Sequence, residues 1–170
     1  MRVAYADPPY VGQAKRHYGT EEVNHTLLIS HLEEYDAWAL SCSSPSLHSL
    51  LPLCPPEIRI MAWVKPFAVF KPNVNPAYAW EPILVKTGRK RSRQQPTVRD
   101  WVSANITLKR GLVGVKPAEV CEWLFEVMNM KPSDEFVDLF PGSGAVTDAW
   151  TQWKEKASIK QPQPQSQPLS

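Results

Sequence analysis

Near its start, the chain runs from Arg2-Val3-Ala4-Tyr5 straight into Ala6-Asp7-Pro8-Pro9-Tyr10. Two consecutive prolines fix φ and remove two backbone donors, so a strand over these first residues must stop there. Its last carbonyls are then left without ladder partners. With the Asp7 carboxylate they make a corner of outward-facing acceptors, and the fold must deliver that corner to something that donates. Taken alone, Asp7 reads as a capping or turn carboxylate. The other elements decide whether it is more.

Residues 11–20 carry Lys15, Arg16 and His17 between Gly12 and Gly19, too polar for a core element, which predicts a loop beside the corner that acts as a lid. Val23, Leu27, Leu28 and Leu32 recur at helical spacing and predict a helix over 21–35, with Glu21 and Glu22 in its first turn. Residues 37–42 read as a buried parallel strand, 46–53 as a short helix and 58–64 as a further strand. Prolines 66, 72 and 76 make 67–76 irregular. The run YAWEPILVK, residues 78–86, returns as a strand whose Pro82 argues for an edge position or a bulge. Then KTGRKRSR packs five basic residues into eight, and 94–112 reads mostly as loop. Residues 118–130 predict an amphipathic helix with Pro117 at its start, 135–140 a strand, 141–144 a glycine turn and 145–156 a last helix.

Strands alternating with helices predict an α/β fold with a mainly parallel sheet, in which ligands bind beyond the carboxyl ends of the strands. A length of 170 residues suits one domain, expected over 1–156, while the tail QPQPQSQPLS places 157–170 as disordered. Cys42, Cys54 and Cys121 lack CxxC spacing, so neither a metal site nor a disulfide framework is expected. No apolar run approaches the roughly 20 residues of a membrane span, and a strand-like N-terminus in place of a signal peptide gives the expectation of a cytoplasmic protein.

The second chemical signal is Val137-Asp138-Leu139-Phe140-Pro141-Gly142-Ser143-Gly144, a strand that runs through a glycine turn into a helix. Its glycines let a backbone approach a ligand, and the helix start offers free N–H groups. The dinucleotide pattern is not completed, because no glycine follows Gly144 at the required spacing, so a nicotinamide site is not expected. Taken together, ADPPY and DLFPGSG resemble the S-adenosylmethionine-dependent amino-methyltransferases of DNA, specifically the adenine-N6 group, in the permuted order that puts the catalytic motif first. Gly114-Val115-Lys116-Pro117 resembles the family's lysine-proline element, and WEPILVK a late sheet strand.

The resemblance implies a Rossmann-like methyltransferase sheet, circularly permuted and shortened to about five strands, with helices on both faces. It also implies roles. The Asp7 carboxylate and the Pro8 carbonyl would accept the two N–H groups of the amine, pre-aimed by the rigidity of Pro8 and Pro9. Tyr10 would stack on the extruded base. For S-adenosylmethionine, Asp138 would accept from the methionine ammonium while Phe140, Gly142, Ser143 and Gly144 line the pocket; Phe140 as core competes with that role. Lys116 reads equally as a contact to the methionine carboxylate or as a solvated residue at a helix start. Arg89, Lys90, Arg91 and Arg93 lie where permuted members place target-recognition residues, and with Lys15 and Arg16 are the candidate nucleic-acid contacts. A solvated loop is the other meaning of that run. DNA is the expected partner, with RNA adenine, cytosine N4 or a degenerate protein that only binds as the alternatives. Members continue past the glycine-turn helix into a strand whose terminal acid grips the cofactor ribose. Here the sequence becomes KEKASIKQPQPQSQPLS, which leaves Asp148 or the 11–20 loop for that role and puts strand 135–140 at an edge, where a homodimer is expected.

Overall fold

A computed structural model describes residues 1–10, 22–67, 72–107 and 115–159. Six strands form one sheet in the order β5-β3-β4-β2-β1-β6. They are β1 (Arg2–Ala6), β2 (Ala37–Ser41), β3 (Arg59–Val64), β4 (Trp80–Lys86), β5 (Trp101–Ser103) and β6 (Glu135–Asp138). β1 lies parallel to both β2 and β6, and β3 parallel to β5. β4 alone is reversed, antiparallel to β2 on one side and to β3 on the other. The helices are α1 (His25–Leu32), the short α2 (Leu47–Leu50) flanked by 3-10 turns, α3 (Ala118–Val127) and α4 (Ala145–Ile159).

Side chains alternate across a strand, and both faces of this sheet are covered, so β1 from Val3 and all of β2 are buried at every position. On one face Val3, Tyr5, Ala39, Trp63 and Ile83 pack under α3 and α4; on the other Ala4, Trp38, Leu40 and Leu84 pack under α1 and Leu50. Phe125 centres the first layer, edge-on to Phe136 and Trp150 at 5.4 and 5.2 Å, with Trp153 stacked on Trp150 at 5.3 Å. This cluster seats α4 over β6, which is an edge strand as expected.

Several expectations need correction. β4 is internal, although Pro82 argued for an edge or bulge. In an antiparallel strand a residue's N–H and C=O point to the same side, and the Pro82 carbonyl accepts from Cys42 N–H at 3.1 Å, just past the end of β2. The missing donor therefore falls where β2 has already stopped, and no bond to β3 is lost. β5 lies in a segment read as loop; three residues hold it because Ala62 N–H donates to the Asp100 carbonyl and Ala104 N–H to Val64. α1 starts later than expected, capped by the Asn24 side chain, which accepts from Leu27 N–H. Glu21 lies outside the described residues, and Glu22 precedes the cap. Leu27 is 67% exposed, and Ile29 takes its place on the buried face. α3 stops at Val127 because Asn129 turns left-handed at φ +51°, with Met130 N–H returning to the Phe125 carbonyl. α4 continues to Ile159, past the expected end of the last helix at 156.

Phe125→Ala is expected to cost about 3–5 kcal/mol, measured by denaturant unfolding, because three aromatic neighbours lose their contact. Leu27→Ala, on the exposed side of α1, should stay within about 0.5 kcal/mol of the parent.

Candidate active site

The carboxyl ends of the parallel strands open at one end of the sheet, and reversed β4 begins there. Chain direction alone therefore brings together Asp7 after β1, Lys65 after β3, Glu81 near the start of β4 and Lys116 just before α3. Lys116 Nζ donates to Asp7 Oδ2 at 2.7 Å and lies 3.0 Å from Glu81 Oε1. The other Glu81 oxygen, Oε2, accepts from Lys65 Nζ at 3.0 Å and from the Tyr10 hydroxyl at 2.8 Å. Both ammoniums lie over the Trp63 ring, Lys65 at 4.4 Å and Lys116 at 5.5 Å from its centroid, and the Trp63 indole is fixed by the Ala104 carbonyl at 2.8 Å. Beneath them the Tyr5 hydroxyl shares a hydrogen bond with Ser41 at 2.9 Å.

Burial governs the electrostatics. It raises the Asp7 carboxyl; the Lys116 charge pulls it back and the Glu81 charge adds to the rise, leaving it above the usual range. For Glu81, burial would raise the carboxyl too, yet Lys116 and Lys65 outweigh it and the net is a fall. Burial opposes the charge on Lys116, but the surrounding Asp7 and Glu81 hold it ionised, well above the ordinary lysine value. Tyr10, desolvated and next to Glu81, is raised and stays a phenol.

The glycine turn leaves the neighbouring strand. Tyr5 and Asp138 are register partners, and Leu139 N–H donates to the Tyr5 carbonyl at 2.9 Å. One Asp138 oxygen accepts from Phe140 N–H at 3.2 Å, while Oδ2 is buried with no hydrogen-bond partner among the described residues. Burial and the Asp7 charge push this carboxyl up, the Phe140 N–H and the nearby Thr147 side chain opposing. Gly142 and Gly144 sit at φ +48° and +79°, where a side chain would be strained, and a Cβ at Gly144 would meet nothing within 4 Å. Gly144 N–H closes the turn on the Pro141 carbonyl, and its own carbonyl accepts from Asp148 N–H at the start of α4. Ser143 is exposed. Phe140 is half-buried against the α1-side core, so its packing role is present. Asp148 is exposed on the first turn of α4.

The structure thus joins Asp7, Pro8, Pro9 and Tyr10 to the turn of 138–144, and bears on two sequence readings. Lys116 is not solvated: it is buried between two carboxylates. The basic run, read as nucleic-acid contacts or as a solvated loop, has partners within the chain for two of its residues. Because β4 is reversed, residues 89–93 emerge at the far end of the sheet, about 20 Å away along a seven-residue strand. There Arg89 makes paired hydrogen bonds to Asp134 at 2.8 and 2.9 Å, and Arg91 is held by the Pro96 and Glu126 carbonyls. Lys90 and Arg93 are exposed. Lys15 and Arg16 lie outside the described residues. Sequence reasoning noted Glu81 only as part of a strand and passed over Lys65. The signal was an acid and a lysine flanking two strands at ends that only the reversal of β4 makes adjacent.

No protein-family model matches this chain, and no curated protein sequence does. Among solved structures it is similar to the complex of M1.HpyAVI with SAM, at 16% identity and a TM-score of 0.59, over 90% of this chain and 78% of that one. It is likewise similar to another structure of M1.HpyAVI, at 13% identity and a TM-score of 0.57, over 91% and 76%. At such identities the likeness is one of fold: the chain has a Rossmann-like methyltransferase sheet, mixed α/β and mostly parallel. Among the described residues, no helix is long and apolar enough to cross a membrane, and no cluster of His, Cys, Asp or Glu is placed to hold a metal ion.

Arg89→Ala is expected to lose about 2 kcal/mol at neutral pH in denaturant unfolding, since it removes two charge-assisted hydrogen bonds from a buried carboxylate that keeps only the Met1 amine and Lys131 N–H, whereas Lys90→Ala with Arg93→Ala should leave stability unchanged. Burial raises the Asp134 carboxyl, but hydrogen bonds from Arg89, the Met1 amine and Lys131 N–H hold it well below the usual range. Its unfolded form therefore binds more protons as pH falls below about 4, and the stability it contributes is lost there. The penalty of Arg89→Ala should accordingly shrink on acidification.

Proposed function

We propose that this chain transfers the methyl group of S-adenosylmethionine to an exocyclic amine, specifically N6 of adenine in DNA. One observation carries the reading: the acceptor corner at Asp7 and the glycine turn after Asp138 leave the same end of two hydrogen-bonded strands, in register at Tyr5 and Asp138. The solved neighbour holding SAM supports it through its fold.

The residues present fit the cofactor. Oδ2 of Asp138, buried with no partner at hydrogen-bond distance, is an acceptor suited to an ammonium, and Gly144, where a Cβ would meet nothing within 4 Å, stands just before the first N–H groups of α4. When bound, S-adenosylmethionine supplies a methyl group made electrophilic by a sulfonium. An exocyclic amine is a poor nucleophile, because its lone pair is delocalised into the ring. Hydrogen bonds from its two N–H groups to the Asp7 carboxylate and the Pro8 carbonyl hold it and favour a more tetrahedral nitrogen, and acceptors fixed in advance need no reorganisation. Tyr10 offers its ring to an extruded base, with the hydroxyl tethered to Glu81 so that the plane is set.

RNA adenine or cytosine N4 is the second reading. It is favoured by the acceptor corner itself, since the Asp7 carboxylate and the Pro8 carbonyl recognise an amino group and not the polymer that carries it. Calorimetric titration with S-adenosylmethionine should show one binding site; no binding leaves a degenerate protein that only binds nucleic acid or a partner. Labelled-methyl transfer to DNA against RNA separates the substrates. Asp7→Ala should lower transfer by about 10²- to 10³-fold while cofactor affinity is kept, and undiminished transfer would sink the mechanism.

A further inference from the structure

The charged residues at the mouth give Lys116 a task other than touching the cofactor, an inference that rests on the methyl-transfer reading above. Two ammoniums, Lys65 and Lys116, balance two carboxylates, Asp7 and Glu81. The side chains of Lys116 and Glu81 are each 4% exposed, whereas that of Asp7 is 21% exposed. The lysine is thus out of solvent while the carboxylate it grips can be reached. A carboxylate has about four lone-pair sites, so one ammonium on Oδ2 leaves Oδ1 to accept from an amine. Glu81 is itself pinned, with Lys65 and the Tyr10 hydroxyl both on Oε2, and its Oε1 stands 3.0 Å from Lys116 Nζ without another hydrogen bond.

We infer that Lys116 is a positioning residue for Asp7: braced by Glu81, it fixes the carboxylate through Oδ2 so that Oδ1 faces the target amine as an ionised acceptor. The surroundings of Asp7 make the charge on Lys116 matter. Around the pair stand Tyr5 and Ser41 on β1 and β2, Glu81 on β4, Lys65 after β3, Asp138 on β6, Cys121 on α3 and Tyr10. Burial and the Glu81 charge push the Asp7 carboxyl up, and the Lys116 charge is the largest influence pulling it down. Without that charge Asp7 takes up a proton at a higher pH and stops accepting. The acid limb of the rate profile then moves to higher pH.

The test uses the full chain with Lys116→Met, and Lys116→Gln as a second variant that keeps a neutral donor if the first does not fold. Carboxyl carbon NMR, with the Asp7 signal assigned through Asp7→Asn, should show Asp7 titrating at least about one pH unit higher in either variant. Lys116→Arg, which restores the charge, should bring it back towards the parent. Calorimetry should find S-adenosylmethionine affinity within about twofold of the parent. Transfer should fall on the order of 100-fold near neutrality and recover in alkali. An unmoved Asp7 titration, or a loss of rate that is constant across pH, overturns the inference. Cofactor affinity weakened tenfold or more overturns it in favour of a cofactor contact. If the parent itself binds no S-adenosylmethionine, the methyl-transfer reading fails, and the Asp7 titration still decides whether Lys116 governs that carboxylate.

Discussion

One buried ammonium ties the mouth of this sheet together. Lys116 reaches from the segment before α3 to the residue after β1 and to the second residue of β4, joining positions 109 and 35 residues away in sequence. An ion pair out of water gains little for folding, because desolvating each charge offsets most of the attraction. Its contribution is better sought in what it fixes. Cutting either carboxylate away would leave two ammoniums with a single carboxylate between them, so the cluster holds the Asp7 corner in one arrangement even where it adds little net stability.

That cluster exists because β4 is reversed. A parallel strand in its place would carry Glu81 at the far end and bring 89–93 to the mouth. Reversal does the opposite on both counts. It also explains how a proline survives inside the sheet, since the side of β4 that lacks a donor faces the point where β2 has ended. The same reversal sets the end of β3 beside the start of β4, where Lys65 N–H donates to the Ala79 carbonyl at 2.8 Å and the Lys65 ammonium reaches Glu81.

What was legible in the sequence follows from this. The Asp-Pro-Pro-Tyr corner and the glycine turn could be read because each is local: consecutive prolines end a strand, and left-handed residues at Gly142 and Gly144 turn it into a helix. That both sit at carboxyl ends of strands followed from α/β topology, while the pairing of those two strands comes from the structure. The roles of Lys116, Glu81 and Lys65 could not be read, because they depend on which strand lies between which, and periodicity is silent on strand direction. Pro82 misled for the same reason: a rule about edges stands in for a statement about where one missing hydrogen bond points. β5 escaped because three residues with an exposed Trp101 carry too little pattern to stand out from a loop. The pairing of Arg89 with Asp134 was not legible either, since a charged run looks the same whether its partners are in a ligand or elsewhere in the chain.

The most direct measurement is a crystal structure of the chain with S-adenosylhomocysteine and a single-stranded oligonucleotide carrying one adenine. The adenine N6 should lie about 3 Å from Asp7 Oδ1 and from the Pro8 carbonyl, with Lys116 still on Oδ2 and Asp138 Oδ2 accepting from the ammonium of the homocysteine. A base bound away from the Asp7 corner, or a homocysteine that leaves Asp138 Oδ2 without a partner, would contradict the site and the chemistry built on it.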